Sequence, residues 1–215
     1  MTVSYLASIL HNTTSLITIL NPIAAATVLV SLMPSASQSE IHIAARKATI
    51  TTFIALIITL FAGKMIFNFF GISVLSLKVI GGVILMMIAI NMAYGYSHKA
   101  RHSPEEHIEA EDKDDVAIIP LSIPLLYGPG TIATVVVLND NLSEKFSQVA
   151  GYGIATIVVF LSSVIVFIVL RNASLIIKTL GITGVKILTR IMGLIVGAVA
   201  AQFLVGGIKG LWGTL

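Results

Sequence analysis

Long runs of apolar residues, separated by short polar intervals, fill most of this chain. Six such runs stand out, at 5–33, 48–63, 74–96, 116–138, 149–170 and 187–207. A bilayer core of about 30 Å takes roughly 20 apolar residues of helix. The second run is short as bounded by charge, and the pattern extends it past Lys64 to Phe70 with the lysine snorkelling. A membrane barrel would alternate with period two, whereas these runs are continuously apolar. The pattern predicts an all-α polytopic membrane protein with six transmembrane helices.

Composition agrees and narrows the class. The 215 residues are 56% hydrophobic and 11% charged, against roughly 45–50% and about 25% in soluble domains. Cysteine is absent, which removes disulfides, thiolate metal sites and cysteine nucleophiles. The first acid is Glu40 and the first base Arg46, so the positive n-region of a cleaved signal peptide is not expected. No lipidation motif is visible, with Thr2 rather than glycine after Met1. The net charge of +3 forms no basic patch for nucleic acid. Its placement sets orientation instead. Arg46, Lys47, Lys99, Arg101, Lys113, Arg171, Lys178, Lys186 and Arg190 fall in alternate loops, against Lys64, Lys78, Lys145 and Lys209 on the other side. The positive-inside rule then predicts a cytoplasmic (inner) membrane protein with both termini outside.

The interval 97–115 holds seven acids (Glu105, Glu106, Glu109, Glu111, Asp112, Asp114 and Asp115) and three histidines (His98, His102 and His107). His and carboxylates are metal ligands, but a run of like charge reads first as a solvated linker. It divides the chain into a first half at 1–96 and a second at 116–215.

The halves resemble one another. Asn21-Pro22-Ile23-Ala24-Ala25-Ala26-Thr27-Val28-Leu29-Val30 aligns at an offset of 107 with Gly128-Pro129-Gly130-Thr131-Ile132-Ala133-Thr134-Val135-Val136-Val137. Gly71-Ile72-Ser73 resembles Gly181-Ile182-Thr183. At an offset of 111, Ile80, Gly82, Ile84 and Ala89 recur as Ile191, Gly193, Ile195 and Ala200, and Asn91 falls opposite Gln202. Three helices per half is an odd number, so the second half must enter from the opposite side. Inverted repeats of this kind mark secondary transporters, whose sites lie at the repeat interface.

Pro22 and the Gly128-Pro129-Gly130 triplet fall near the middle of the first and fourth runs, where they break the first helix of each half. Backbone groups freed in hydrocarbon need a partner, and paired breaks point to a midplane site. Thr14, Thr18 and Asn21 share one helical face, as do Tyr127, Thr131 and Thr134. The expected binding set is Thr18, Asn21, Pro22, Tyr127, Gly128, Pro129, Gly130, Thr131, Asn91 and Gln202. Interhelical hydrogen bonding is the plainer role for any single one of them. All ten acids lie in loops or at membrane edges, so the expected core is uncharged. A coupling ion, Na+ or H+, would have to use carbonyls, hydroxyls or His11. Half-helices starting after Pro22 and Pro129 suit a carboxylate, and facing carbonyls suit an ammonium, so a small zwitterion fits.

These residues resemble the MarC family of six-helix inner-membrane proteins. The most specific stretch is Ile119-Pro120-Leu121-Ser122-Ile123-Pro124-Leu125-Leu126-Tyr127-Gly128-Pro129-Gly130-Thr131-Ile132. Asn21-Pro22, Phe70-Gly71-Ile72-Ser73, Lys78-Val79-Ile80-Gly81-Gly82 and Thr189-Arg190-Ile191-Met192-Gly193-Leu194 also follow the family pattern. The resemblance implies a small neutral amino acid as substrate, with direction open. Lys78 stands where the family typically has arginine, and Asn91 where many members have aspartate. The alternatives are an exporter of other small metabolites or drugs, or a non-transporting scaffold using the Gly193/Gly197 and Gly206/Gly210 spacings for close packing. An enzyme is not expected, because no core residue can serve as base. No cofactor is expected, and a homo-oligomer stays open.

Overall fold

A computed structural model describes residues 2–94, 117–119 and 121–213. The acidic interval 97–115, with its histidines, lies outside the described residues. Helix α1 (Thr2–Leu20) continues as α2 (Pro22–Leu32) across a break at Asn21. Next come α3 (Gln38–Phe69) and α4 (Val74–Tyr94). After a wide turn at Leu121–Leu126 follow α5 (Pro129–Lys145), α6 (Gln148–Arg171) and α7 (Ala173–Trp212). No strand occurs among the described residues.

Local chemistry sets these boundaries. Ser37 starts α3 through a reciprocal cap: its Oγ accepts from the Glu40 N–H at 3.3 Å, and the Glu40 carboxylate accepts from the Ser37 N–H at 2.8 Å. Ser147 caps α6 by accepting from Ala150 N–H. Gly71 (φ +71) reverses the chain between α3 and α4, and Gly181 (φ +65) interrupts α7. Both occupy the left-handed region that a side chain disfavours.

Among the described residues, five stretches are long and apolar enough to cross a membrane: Ser4–Leu32, Gln38–Phe69, Val74–Tyr94, Gln148–Arg171 and Ala173–Trp212. The expected fourth span, 116–138, is not one continuous helix. It divides into the wide turn, where Tyr127 N–H reaches Ser122 O at 2.8 Å, and α5. The reasons are Pro124, Gly128 and Pro129, which remove donors and loosen the backbone. Helix α5 packs against α1, α3, α4 and α6, and residues 133–140 are all buried. A helix sheathed by protein need not be uniformly apolar, so α5 carries Asn139 and Asp140 inside the bundle.

One core unites Leu16, Leu29, Leu56, Leu60, Leu126, Val135, Val158 and Leu170. A second joins α1, α4 and α7 through Ile19, Leu85, Ala89, Met92, Val196 and Ala200. Outward positions such as Ile54, Ile58, Phe61, Met87, Ile157 and Leu194 are large, apolar and exposed, a surface matched to hydrocarbon rather than water.

Helices α4 and α7 lie antiparallel at backbone contact. A Cβ added to Gly82 would stand 2.9 Å from Ala200 O and 3.0 Å from Leu204 N. A Cβ added to Gly193 would stand 3.0 Å from both Ala89 O and Ala93 N. Residues 82, 89 and 93 map onto 193, 200 and 204 at the sequence offset of 111. The two contacts are therefore the same contact with the helices exchanged. Gly207 and Gly210 continue the seam against Leu75 and Val79, whereas Gly206 faces open space. The expected Gly206/Gly210 pair is thus corrected: Gly207, four turns beyond Gly193, holds the packing face.

Candidate functional site

Both breaks abut α4. Asn21 takes a left-handed conformation (φ 46, ψ 61), which Asn tolerates better than most residues. Pro22 occupies the first helical position of α2, where its missing N–H costs nothing. The Asn21 side chain accepts from Ala24 N–H at 3.3 Å and points its amide nitrogen at Met92 Sδ, 3.8 Å away. At the second break, Gly128 is extended and supplies no side-chain cap to α5, and Pro129 again starts the helix. Gly130 presses on α4, where an added Cβ would meet Leu85 Cδ2 at 2.9 Å. Met92 and Leu85 are two turns apart, so the breaks reach α4 at points about 10 Å apart along its axis.

The expected hydroxyls are present but turned toward their own chain. Thr18 donates to Thr14 O at 2.8 Å and Thr14 to Leu10 O at 2.9 Å. Thr134 donates to Gly130 O at 2.7 Å. Thr131 donates to Leu126 O at 3.0 Å, satisfying a carbonyl next to the break. Tyr127 hydrogen-bonds across to Thr59 of α3, a partner the sequence reading did not single out. Asn91 and Gln202 are exposed on α4 and α7 and hydrogen-bond to no residue of either break. The structure therefore gathers Thr18, Asn21 and Pro22, with Tyr127, Gly128, Gly130 and Thr131, against the bundle interior, and leaves exposed Pro129 and the two amides outside it. His11 is exposed on α1.

Charge inside the bundle differs from expectation. Asp140 is buried in α5 and pairs with Lys64 Nζ at 2.6 Å. The lysine is thus an ion-pair partner rather than a free snorkelling group, and one acid does enter the protein interior. Lys78 donates to Asn141 Oδ1 at 2.9 Å, and Lys145 to Ser8 Oγ at 3.1 Å. Lys64 and Lys78 so reach the last turns of α5, the negative end of its dipole, where Lys145 of α5 itself stands and reaches to α1. The Asn139-Asp140-Asn141 triplet, just past the fourth apolar run, was the signal for this arrangement.

A different group lies between α3 and α6. Thr49 and Thr52 of α3, and Ser162 and Ser163 of α6, have buried hydroxyls without a hydrogen-bond partner. Thr49 and Ser163 line a cleft of about 320 Å³ together with Arg46, Ile50, Phe53, Phe160, Val164 and Phe167.

Membrane-length helices, apolar outer faces and a sheathed, interrupted helix define a multi-pass α-helical integral membrane protein. Residues 6–212 match the MarC family of integral membrane proteins, and the chain belongs to that family. It is 38% identical to a UPF0056 membrane protein of Aquifex aeolicus, over 92% of this chain and 90% of that one. It is 34% identical to the UPF0056 membrane protein MJ1677 of Methanocaldococcus jannaschii, over 91% and 93%. Identity is also 34% with the UPF0056 membrane protein YvbG of Bacillus subtilis, over 96% and 97%. No solved structure matches the chain.

Proposed function

We propose that this protein is a secondary transporter of small neutral amino acids in the cytoplasmic membrane. In this reading it consists of two inverted three-helix halves, 1–96 and 116–215, with the 97–115 linker in the cytoplasm. The observation that carries it is the exchangeable contact of α4 with α7. A contact in which residue i meets j as j's counterpart meets i's counterpart is what a two-fold axis generates. Support comes from the positive-φ glycines 71 and 181 and from proline-started helices after 21 and 128, each pair at nearly the same offset. Halves related in this way can rock against each other around a fixed midplane site.

The two helix starts are unequal. Asn21 already caps α2, whereas α5 has no side-chain cap. A substrate carboxylate therefore belongs at the first turn of α5, beside Gly130 and Thr131 and within the reach of Tyr127, where N–H groups and dipole favour an anion. The ammonium turns to carbonyls at the end of α1. Na+ or H+ coupling would act through such carbonyls, since Lys64 occupies Asp140. The scaffold reading draws its own support from the threonines, whose hydroxyls serve their own helices.

Proteoliposomes loaded with a panel of labelled neutral amino acids, with and without Na+ and proton gradients, test the proposal. Substrate-dependent flux is expected, and Tyr127→Phe should slow it roughly tenfold, about one hydrogen bond's worth. Absence of flux for every solute, with correctly inserted protein, would favour the scaffold.

A further inference from the structure

The cleft between α3 and α6 is built like a seat for one lipid. Its α3 wall is Arg46, Thr49, Ile50 and Phe53, and its α6 wall Phe160, Ser163, Val164 and Phe167. Each wall follows the i, i+3, i+4, i+7 stripe of one helical face. Ring contacts of His42 with Phe167 and of Phe53 with Phe160 tie the antiparallel walls together. The rim residues Ile50, Phe160 and Val164 are exposed and apolar, so the cleft opens toward hydrocarbon.

Its composition changes with depth. Arg46 stands just before the second apolar run, on the side the basic residues assign to the cytoplasm, and no carboxylate among the described residues pairs with it. One turn deeper, the Thr49 and Ser163 side chains line the cleft through carbon, with their unpartnered hydroxyl oxygens buried behind its surface. Deeper still the lining is aromatic and aliphatic. A cation at the mouth with an apolar cleft beneath it follows the order of phosphate and acyl chain in a phospholipid, with a span of about 10 Å from Arg46 to Phe53. We infer that the cleft binds one anionic phospholipid of the cytoplasmic leaflet. Its phosphate lies on the Arg46 guanidinium, which matches phosphate with paired donors. Its chain lies along Phe53, Phe160 and Val164. The inference is independent of what the protein transports.

The test places a reporter indole in the cleft by Phe160→Trp in a Trp212→Phe background, reconstituted in vesicles. Phosphatidylglycerol with brominated acyl chains, mixed at low fraction into unbrominated phosphatidylethanolamine, should quench it several-fold more than brominated phosphatidylethanolamine does. Arg46→Gln should remove that preference, and Arg46→Lys should retain part of it. Lys178→Gln, a change at an exposed lysine assigned to the same side, should leave it intact. Melting temperature in detergent checks that each variant is folded. Equal quenching by the two lipids, or a preference that survives Arg46→Gln in folded protein, would overturn the inference. So would loss of the preference in excess inorganic phosphate at matched ionic strength, because a site for phosphate alone needs no lipid.

Discussion

Asn21 shows how much one residue decides. It is the one non-glycine with positive φ among the described residues, it caps α2, and it reaches toward Met92. Glycine can adopt the same backbone and costs little as a cap, so Asn21→Gly should change the melting temperature only slightly. A β-branched residue cannot relax there. Asn21→Val should destabilise by about 1–3 kcal/mol, seen as a clear drop in melting temperature in detergent. Sequence reading located this residue from its neighbour Pro22 and from matching Pro129. It did not foresee that Asn21 would spend its carbonyl on its own helix start, because capping depends on a backbone angle that no pattern of apolar letters encodes. Asp140 escaped for a related reason. Its position fell two residues beyond an apolar run, and only the packing of four helices around α5 buries it.

At the scale of elements, the α4–α7 seam turns on absent side chains. Gly82 and Gly193 each face a backbone oxygen closely enough that a methyl group must push the helices apart. Gly82→Ala and Gly193→Ala should therefore each cost on the order of 1–3 kcal/mol, the usual range for overpacking, and by similar amounts because the two contacts are equivalent. Gly206→Ala, facing open space, should be neutral. Thermal unfolding of the three variants in one detergent compares them directly. The spacing of these glycines was readable, and so was their correspondence across an offset of 111. Which of the two adjacent glycines, 206 or 207, touches α4 was not, since that follows from the rotation of α7 about its own axis. The wide turn before α5 was likewise marked by its prolines and glycines while its hydrogen-bond pattern was not.

For the whole molecule, apolar runs and the distribution of lysine and arginine were enough to predict a multi-pass helical protein and an orientation. Absence of cysteine makes the orientation simple to measure. Single cysteines introduced by Ser35→Cys and Gln148→Cys sit at exposed positions, in the turn between α2 and α3 and at the start of α6. A membrane-impermeant maleimide should label the second in intact cells and the first only after permeabilisation. Labelling of both from outside, or in the reverse order, would reject the assigned topology.

The unequal helix starts carry a last consequence. Under the two-fold reading, the halves share one backbone plan but currently hold it differently: one break is closed by its own amide and the other is not. Were the first half to take up the present shape of the second, and the second that of the first, the packing seam of α4 and α7 would map onto itself. The result would be a second arrangement of equal overall shape, with the two sides of the bilayer exchanged. On that view the protein already contains the drawing of its opposite state, and the difference between the two breaks is the part of it now visible.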